Sequence, residues 1–467
     1  MKIIERPLYL DRLKRLYGTP DIKIITGLRR SGKSELLRSF VNYLKESYTD
    51  INIIRIDFGD LKFDSLKNYK SLYDYVEKMY DDSLKNVLIV DEVQLCEKFE
   101  LAINSFHNSK NYDIYLTGSN AFLLSSDLAT LFTGRFIEIP VYPFSFKEYC
   151  SYFDIDKDYS EHLQDYLVIG GLSGSYVYDN KEDRAAYIND VYKTLIKRDL
   201  IDRYNLSDEA LLDNLAEFLM DNISNLTNAN NISKVLNYNN IATNHVTIGN
   251  YIKYLCNAFM FYKVKRYDIK GKKYLETNDK YYLSDLSFRF AILGVRNIDY
   301  GRAYENIVAI ELLRRGYDIY VGTLYQKEID FVAMKGDEKI YIQVSDDVSS
   351  EKTMQRELEP LLSIRDAYPK MILSNTKHPM SLIDGVKHID IARWLMGDES
   401  WLAYIFSFCF CINFAFFCIQ ISPGTHLLFG NARVLAVRSA CLKAPFRPMH
   451  KFALQNNCKI RWEDCFI

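Results

Sequence analysis

Between residues 21 and 140, short apolar runs alternate with longer stretches whose apolar positions recur every three or four residues. The short runs are "KIIT" (23–26), "NIIRID" (52–57), "NVLIVD" (86–91), "DIYLTG" (113–118) and "RFIEIP" (135–140). They are rich in Ile and Val and too brief for helices, so they read as strands. Helical spacing appears in "SELLRSFVNYLKES" (34–47), "LYDYVEKMYDDSL" (72–84) and "CEKFELAINSFHN" (96–108). The alternation predicts βαβ units and an α/β fold, with a parallel sheet covered on both faces. Such a sheet binds ligands at the carboxyl ends of its strands. Every candidate residue of this segment is expected at that edge.

The pattern changes after residue 140. Residues 141–225 read as mostly helical, interrupted by Gly170-Gly171. "KRDLIDRY" (197–204) mixes signs and reads as a salt-bridged helix face rather than a ligand site. From 226 to 286 the pattern is that of a winged helix. "NISKVLN" and "HVTIGNYIKYLCNAFM" supply two helices, and "FYKVKRYDIKGKKYLETNDKYYLSD" supplies a hairpin. The expected division is 1–145, 146–225, 226–290, 300–397 and a tail, 401–467.

Chemistry enters at "TGLRRSGKS" (26–34). Gly27, Leu28, Arg29, Arg30, Ser31, Gly32, Lys33 and Ser34 match the phosphate-loop spacing G-x-x-x-x-G-K-[ST]. Glycines let consecutive N–H groups converge on one anion, and the following helix presents its positive end. Lys33 would neutralise the β- and γ-phosphates of ATP, and Ser34 would ligate Mg²⁺. The strand "NVLIVD" ends in Asp91, followed by Glu92. Two carboxylates there are costly without a cation. Asp91 is expected to hold the metal's water shell, and Glu92 to polarise the attacking water. In "YLTGSN" (115–120), Ser119 or Asn120 would sense the γ-phosphate. In "TLFTGRF" (130–136), Arg135 would stabilise transition-state charge, in cis or across a subunit boundary.

The motifs "GLRRSGKS", "LIVDEVQ", "LTGSNAFLLSSDLATLFTGRF" and "PVYPFSFKEY", in this order, resemble the AAA-type ATPases of bacteria and archaea that carry a further C-terminal region. The resemblance spans about residues 1 to 397. It implies a P-loop NTPase sheet, a helical and winged-helix region, and a small α/β nuclease-like domain. The family usually places a proline after the two glycines; Leu172-Ser173 stands here instead. Residues 303–345 resemble the PD-(D/E)-x-K nuclease core, with Glu305 and Asp330 in place. The last motif reads Gln343-Val344-Ser345, an amide for the acid and a serine for the lysine. Metal binding and water activation should both suffer.

The net charge of −2 argues against a strongly basic coat but not against a local one. Lys263, Lys265, Arg266, Lys270, Lys272 and Lys273 make the hairpin basic, so double-stranded DNA is a candidate partner, beside a protein client and a second copy of the chain. Only Cys96, Cys150 and Cys256 precede residue 400, which fits a reducing, cytoplasmic setting. The N-terminus has scattered charges and no apolar core of signal-peptide length. After residue 400 the composition breaks. "WLAYIFSFCFCINFAFFCIQI" (401–421) is uncharged and long enough to span a bilayer. The tail reads as a membrane anchor, as a cysteine module lacking any C-x-x-C pair, or as a non-native extension. The expected activity is ATP hydrolysis. Two alternatives stand beside it: an ATP-switched DNA-binding module with slow turnover, and a Mg²⁺-dependent nuclease using Glu305 and Asp330.

Overall fold

The computed structural model describes residues 2, 4–118, 132, 134–295, 299–376 and 380–397. The expectations for Ser119, Asn120 and the tail 401–467 lie outside the described residues. Strands β1 (Ile22–Thr26), β2 (Ile51–Asp57), β3 (Lys85–Asp91), β4 (Tyr112–Thr117) and β5 (Phe136–Pro140) pair in parallel in the order β2-β3-β4-β1-β5. Side chains alternate along a strand, and both faces of this sheet are covered, so apolar residues run continuously. Val87 and Ile89 of β3 pack with α1 (Pro7–Leu16) and α2 (Lys33–Ser47). Leu88 and Val90 pack on the other face with α3 (Tyr69–Lys78) and α4 (Phe99–Ser109).

Helices follow: α5 (Phe146–Tyr152), α6 (Tyr159–Ile169), α7 (Lys181–Thr194), α8 (Glu209–Asp221), α9 (Ala229–Tyr238) and α10 (His245–Asn257). A π-helical turn, Leu195–Ile201, extends α7. The two central glycines sit where backbone must approach closely. Gly171 N–H donates to Asp285 Oδ2 at 2.6 Å, and a Cβ on Gly171 would stand 2.2 Å from the Phe144 carbonyl oxygen.

The remainder is built on one mixed sheet of eight strands: β6 (Phe261–Asp268), β7 (Lys273–Leu283), β8 (Asp318–Leu324), β9 (Lys327–Lys335), β10 (Glu338–Ser345), β11 (Lys370–Ser374), β12 (Met380–Ile383) and β13 (Val386–Asp390). Their order is β12-β13-β11-β10-β9-β8-β6-β7. Helices α11 (Ser287–Leu293), α12 (Tyr300–Arg314), α13 (Glu351–Leu362) and α14 (Ile391–Met396) complete it. The sheet draws strands from both sides of the expected division between residues 290 and 300. The basic hairpin β6–β7 continues into this sheet, where Arg266, Tyr267 and Asp268 of β6 pair in parallel with Val321, Gly322 and Thr323 of β8. One apolar core runs from Leu28 through the helices and the hairpin to Trp394.

Arg6 joins the two parts. Its guanidinium donates to both carboxylate oxygens of Glu148 on α5 (2.7 and 3.1 Å), to the Ser31 carbonyl (2.8 Å) and to the Tyr142 carbonyl (2.9 Å). The Tyr9 and Phe144 rings lie 4.5 and 5.0 Å from its charge. Glu148 is fixed in turn by a capping box with Ser145. Arg6→Ala would leave Glu148 buried without its cation. It is expected to lower stability by about 3–5 kcal/mol, read as a lower urea midpoint. Replacing both partners, Arg6→Met with Glu148→Met, is expected to recover part of that loss, since the Ser31 and Tyr142 carbonyls and the capping box still lose their partners. An unchanged midpoint in Arg6→Ala would show that the pair contributes nothing.

Candidate nucleotide site

The loop from Gly27 to Gly32 leaves β1 at its carboxyl end and turns into α2. Three residues take left-handed or related backbone: Gly27 (φ 134°), Arg30 (φ 66°) and Gly32 (φ 92°). At Gly27 the demand is steric as well, since a Cβ would lie 2.1 Å from the Val141 carbonyl oxygen. Leu28 is fully buried and belongs to the core beneath the helical region, so one side of the loop is nailed down by burial. Arg6 holds the Ser31 carbonyl on the other side. Lys33 and Ser34 open α2, with its free N–H groups beside them.

Lys33 is 5% exposed, and its ammonium donates to the carbonyls of Gly27 and Leu28, both at 2.9 Å. Burial pushes it down to about 8, against the pull of the Glu92 and Asp91 carboxylates. A cation in that state gains from an anion brought to the loop.

Asp91 ends β3 and is 1% exposed. The Thr117 hydroxyl, at the end of the neighbouring strand β4, donates to Asp91 Oδ1. Asp91 Oδ2 is buried and has no hydrogen-bond partner among the described residues. An orphaned carboxylate oxygen at the edge where the loop opens fits a hydrated cation. Glu92 follows with φ 52°; its N–H donates to Thr117 Oγ1 at 3.0 Å, and the Gln94 amide donates to its carboxylate. The loop, Asp91 and Glu92 are therefore brought together as their motifs imply.

Arg135 is not. Its carbonyl accepts from Ile22 N–H at the start of β1, and its guanidinium donates to Asn108 at the end of α4. Both mark the amino edge of the sheet. The loop opens at the other end of β1, on the order of 15 Å away at the usual rise per residue. The expectation that every candidate lies at the carboxyl edge fails for this residue, and with it the reading of Arg135 acting in cis.

Two further participants escape a sequence reading. Thr117 sits in the run "YLTGSN", and its position at the strand end is the signal that points to it. Asp199 gives none. It lies in the π-helical turn, inside the mixed-charge stretch read as a salt-bridged helix face rather than a ligand site, and it is buried. Its carboxylate accepts from Arg29 Nε (2.8 Å) and Nη2 (2.6 Å), a two-pronged bridge from the loop to the helical region.

Residues 19–150 match the family model for an AAA domain, and residues 160–299 match a model for a domain of unknown function. An uncharacterized protein of Haemophilus influenzae is 38% identical over 403 residues, covering 84% of this chain and 99% of that one. The chain belongs to the AAA-type P-loop ATPase family. An uncharacterized protein of Methanocaldococcus jannaschii is 25% identical over 355 residues, 72% of this AAA-family chain and 77% of its own. Among solved structures, DnaA from Aquifex aeolicus, bound to AMPPCP, overlaps 54% of this chain and 89% of its own at 18% identity and a TM-score of 0.28. The Orc1 protein of Aeropyrum pernix, in complex with DNA, overlaps 62% and 92% at 9% identity and a TM-score of 0.30.

Lys33→Ala is expected to weaken ATP binding by about 10²-fold or more, the worth of roughly two hydrogen bonds to a charged group. Titration with a fluorescent ATP analogue reads it. Affinity at the wild-type level would remove the loop assignment.

Proposed function

We propose that the chain binds ATP with Mg²⁺ at the Gly27–Ser34 loop and hydrolyses it. The observation that carries this reading is the buried oxygen of Asp91, without a partner among the described residues, standing at the same sheet edge as the curled loop and the Lys33 ammonium. Backbone N–H groups of the loop and of the first turn of α2 bind the phosphates. Lys33 exchanges its two loop carbonyls for phosphate oxygens. Ser34 and Asp91 hold the metal, which supplies charge neutralisation on the phosphates. Thr117 fixes the Asp91 carboxylate and the Glu92 N–H together, so both acids keep one orientation. Glu92 orients the attacking water once its carboxylate leaves the Gln94 amide.

Association with DNA is a second reading, favoured by the hairpin. Lys263, Lys265, Lys270, Lys272 and Lys273 are exposed along β6, the turn and the start of β7. Tyrosines are interleaved with them: the Tyr274 ring lies 5.6 Å from that of Tyr267 and 5.0 Å from that of Tyr320, and Lys270 stands 4.7 Å from the ring of Tyr325. Cations beside exposed rings suit a phosphate backbone with bases to stack.

Glu92→Gln is expected to keep ATP affinity and to lose turnover by about 10²-fold or more, because an amide takes no proton from water. Phosphate release against a nucleotide titration separates the two quantities; full turnover in the variant would exclude Glu92 as the activating group. For the hairpin, Lys270→Glu with Lys272→Glu is expected to weaken DNA binding and to flatten its salt dependence by about 0.9 in log–log slope for each phosphate no longer neutralised. Binding measured across a salt series tests this, and an unchanged slope would take DNA away from the hairpin.

A further inference from the structure

The eight-stranded sheet carries a second cluster of acids, gathered around one buried lysine and separate from the nucleotide site. Glu305 projects from α12, Glu328 and Asp330 from β9. Lys280, on the edge strand β7, is 3% exposed and sends its ammonium into the middle of them. The ammonium stands 2.9 Å from Glu305 Oε1, 2.8 Å from Glu328 Oε1 and 3.7 Å from Asp330 Oδ1. Tyr282, two residues along the same strand, donates its hydroxyl to Glu305 Oε1 at 2.6 Å.

The two substituted motif positions have hydrogen-bond partners of their own. Gln343 Oε1 accepts from the Asp330 N–H at 2.7 Å, and its amide donates to Glu357 Oε2 at 3.1 Å. Ser345 Oγ donates to the Asp347 carbonyl at 3.4 Å. Asp330 Oδ2 accepts from the Val344 N–H at 2.9 Å. That leaves only Asp330 Oδ1 turned toward the other acids. Burial and the Glu305 carboxylate push Asp330 up to about 8, with Lys280 opposing them.

A divalent ion does not fit this arrangement. Mg²⁺ or Mn²⁺ needs several oxygen ligands at about 2.0–2.4 Å, and none of these oxygens can close on a centre that the ammonium fills. No group of three or more His, Cys, Asp or Glu side chains is disposed to hold a metal among the described residues. Acids converging on one place, Glu305 and Asp330 inside and Glu328 at the surface, nevertheless need a cation.

We infer that the Lys280 ammonium is the resident cation of this pocket, taking the place of a divalent metal, and that without it Glu305, Glu328 and Asp330 can move together onto one. The pocket then cuts no nucleic acid in the natural chain. Its charge balance is supplied from β7, so the acids and the basic hairpin are held together by one ion pair cluster. The lysine that the motif lost on β10 is replaced in charge, not in catalytic position.

The test uses the full chain without nucleotide. Wild type is expected to show no shift in melting temperature with millimolar Mn²⁺, and no Mn²⁺-dependent nicking of plasmid DNA. Lys280→Met is expected to melt lower and to recover several degrees when Mn²⁺ is added, since a ligand that binds only the folded state stabilises it. Adding Asp330→Asn to Lys280→Met should abolish the recovery, which assigns the ion to this pocket and not to the phosphate loop. If Lys280→Met does not fold, Lys280→Met with Glu305→Gln should fold and stay indifferent to Mn²⁺, because only Glu328, at the surface, and Asp330 remain, too few to hold the ion. Asp330-dependent Mn²⁺ binding or cleavage by wild type would overturn the inference. So would a folded Lys280→Met that ignores Mn²⁺, or a charge-balanced double variant that fails to fold.

Discussion

A buried guanidinium sets the geometry on which the nucleotide site depends. Arg6 reaches the loop at Ser31, the chain beyond β5 at Tyr142, and α5 at Glu148. The loop lies far along the chain from the other two. A phosphate loop needs its backbone donors aimed before the anion arrives, because ordering them at binding would cost affinity. Arg6 and the buried Leu28 do that ordering during folding, from opposite sides of the loop. The charge is costly to bury, and the cost is offset only while Glu148 and both carbonyls stay in place. Loop shape, sheet and helical region therefore stand or fall together.

Much of the first sheet was legible from the chain, because the inner strands β1 and β3 are buried on both faces and announce themselves as mostly apolar runs. The loop was legible for a different reason: Gly27 and Gly32 occupy backbone states that few other residues tolerate, so the spacing itself is informative. Arg135 shows the limit. A glycine–arginine pair before a strand looks the same whichever edge of the sheet it occupies, and only the pairing of Ile22 with the segment places it. Asp199 shows a second limit. Its partner Arg29 lies far away along the chain, and a buried acid in a mixed-sign helix has no local mark.

The hairpin was legible as a hairpin but not as part of a larger sheet. The parallel pairing of β6 with β8 joins segments about 50 residues apart, and the intervening helices α11 and α12 hide it from any local pattern. The same blindness applies to Lys280. The motif position on β10 reads as a loss, whereas the compensating charge arrives from another strand. Sequence motifs record where a group is missing; they do not record which neighbour in space has filled the gap.

The placement of Arg135 has a consequence for symmetry. The arginine lies at the amino edge of the sheet and the phosphate loop at the carboxyl edge. An arginine that serves a loop in another molecule must therefore join two unlike surfaces. A two-fold axis pairs a surface with itself, so one shared junction of this kind does not close a dimer. Repeated from copy to copy, it generates either a ring, if the rotation closes, or an open helix, if it does not. Each copy would then both give an arginine and receive one, except at the ends of an open array, where one loop is always left without a donor.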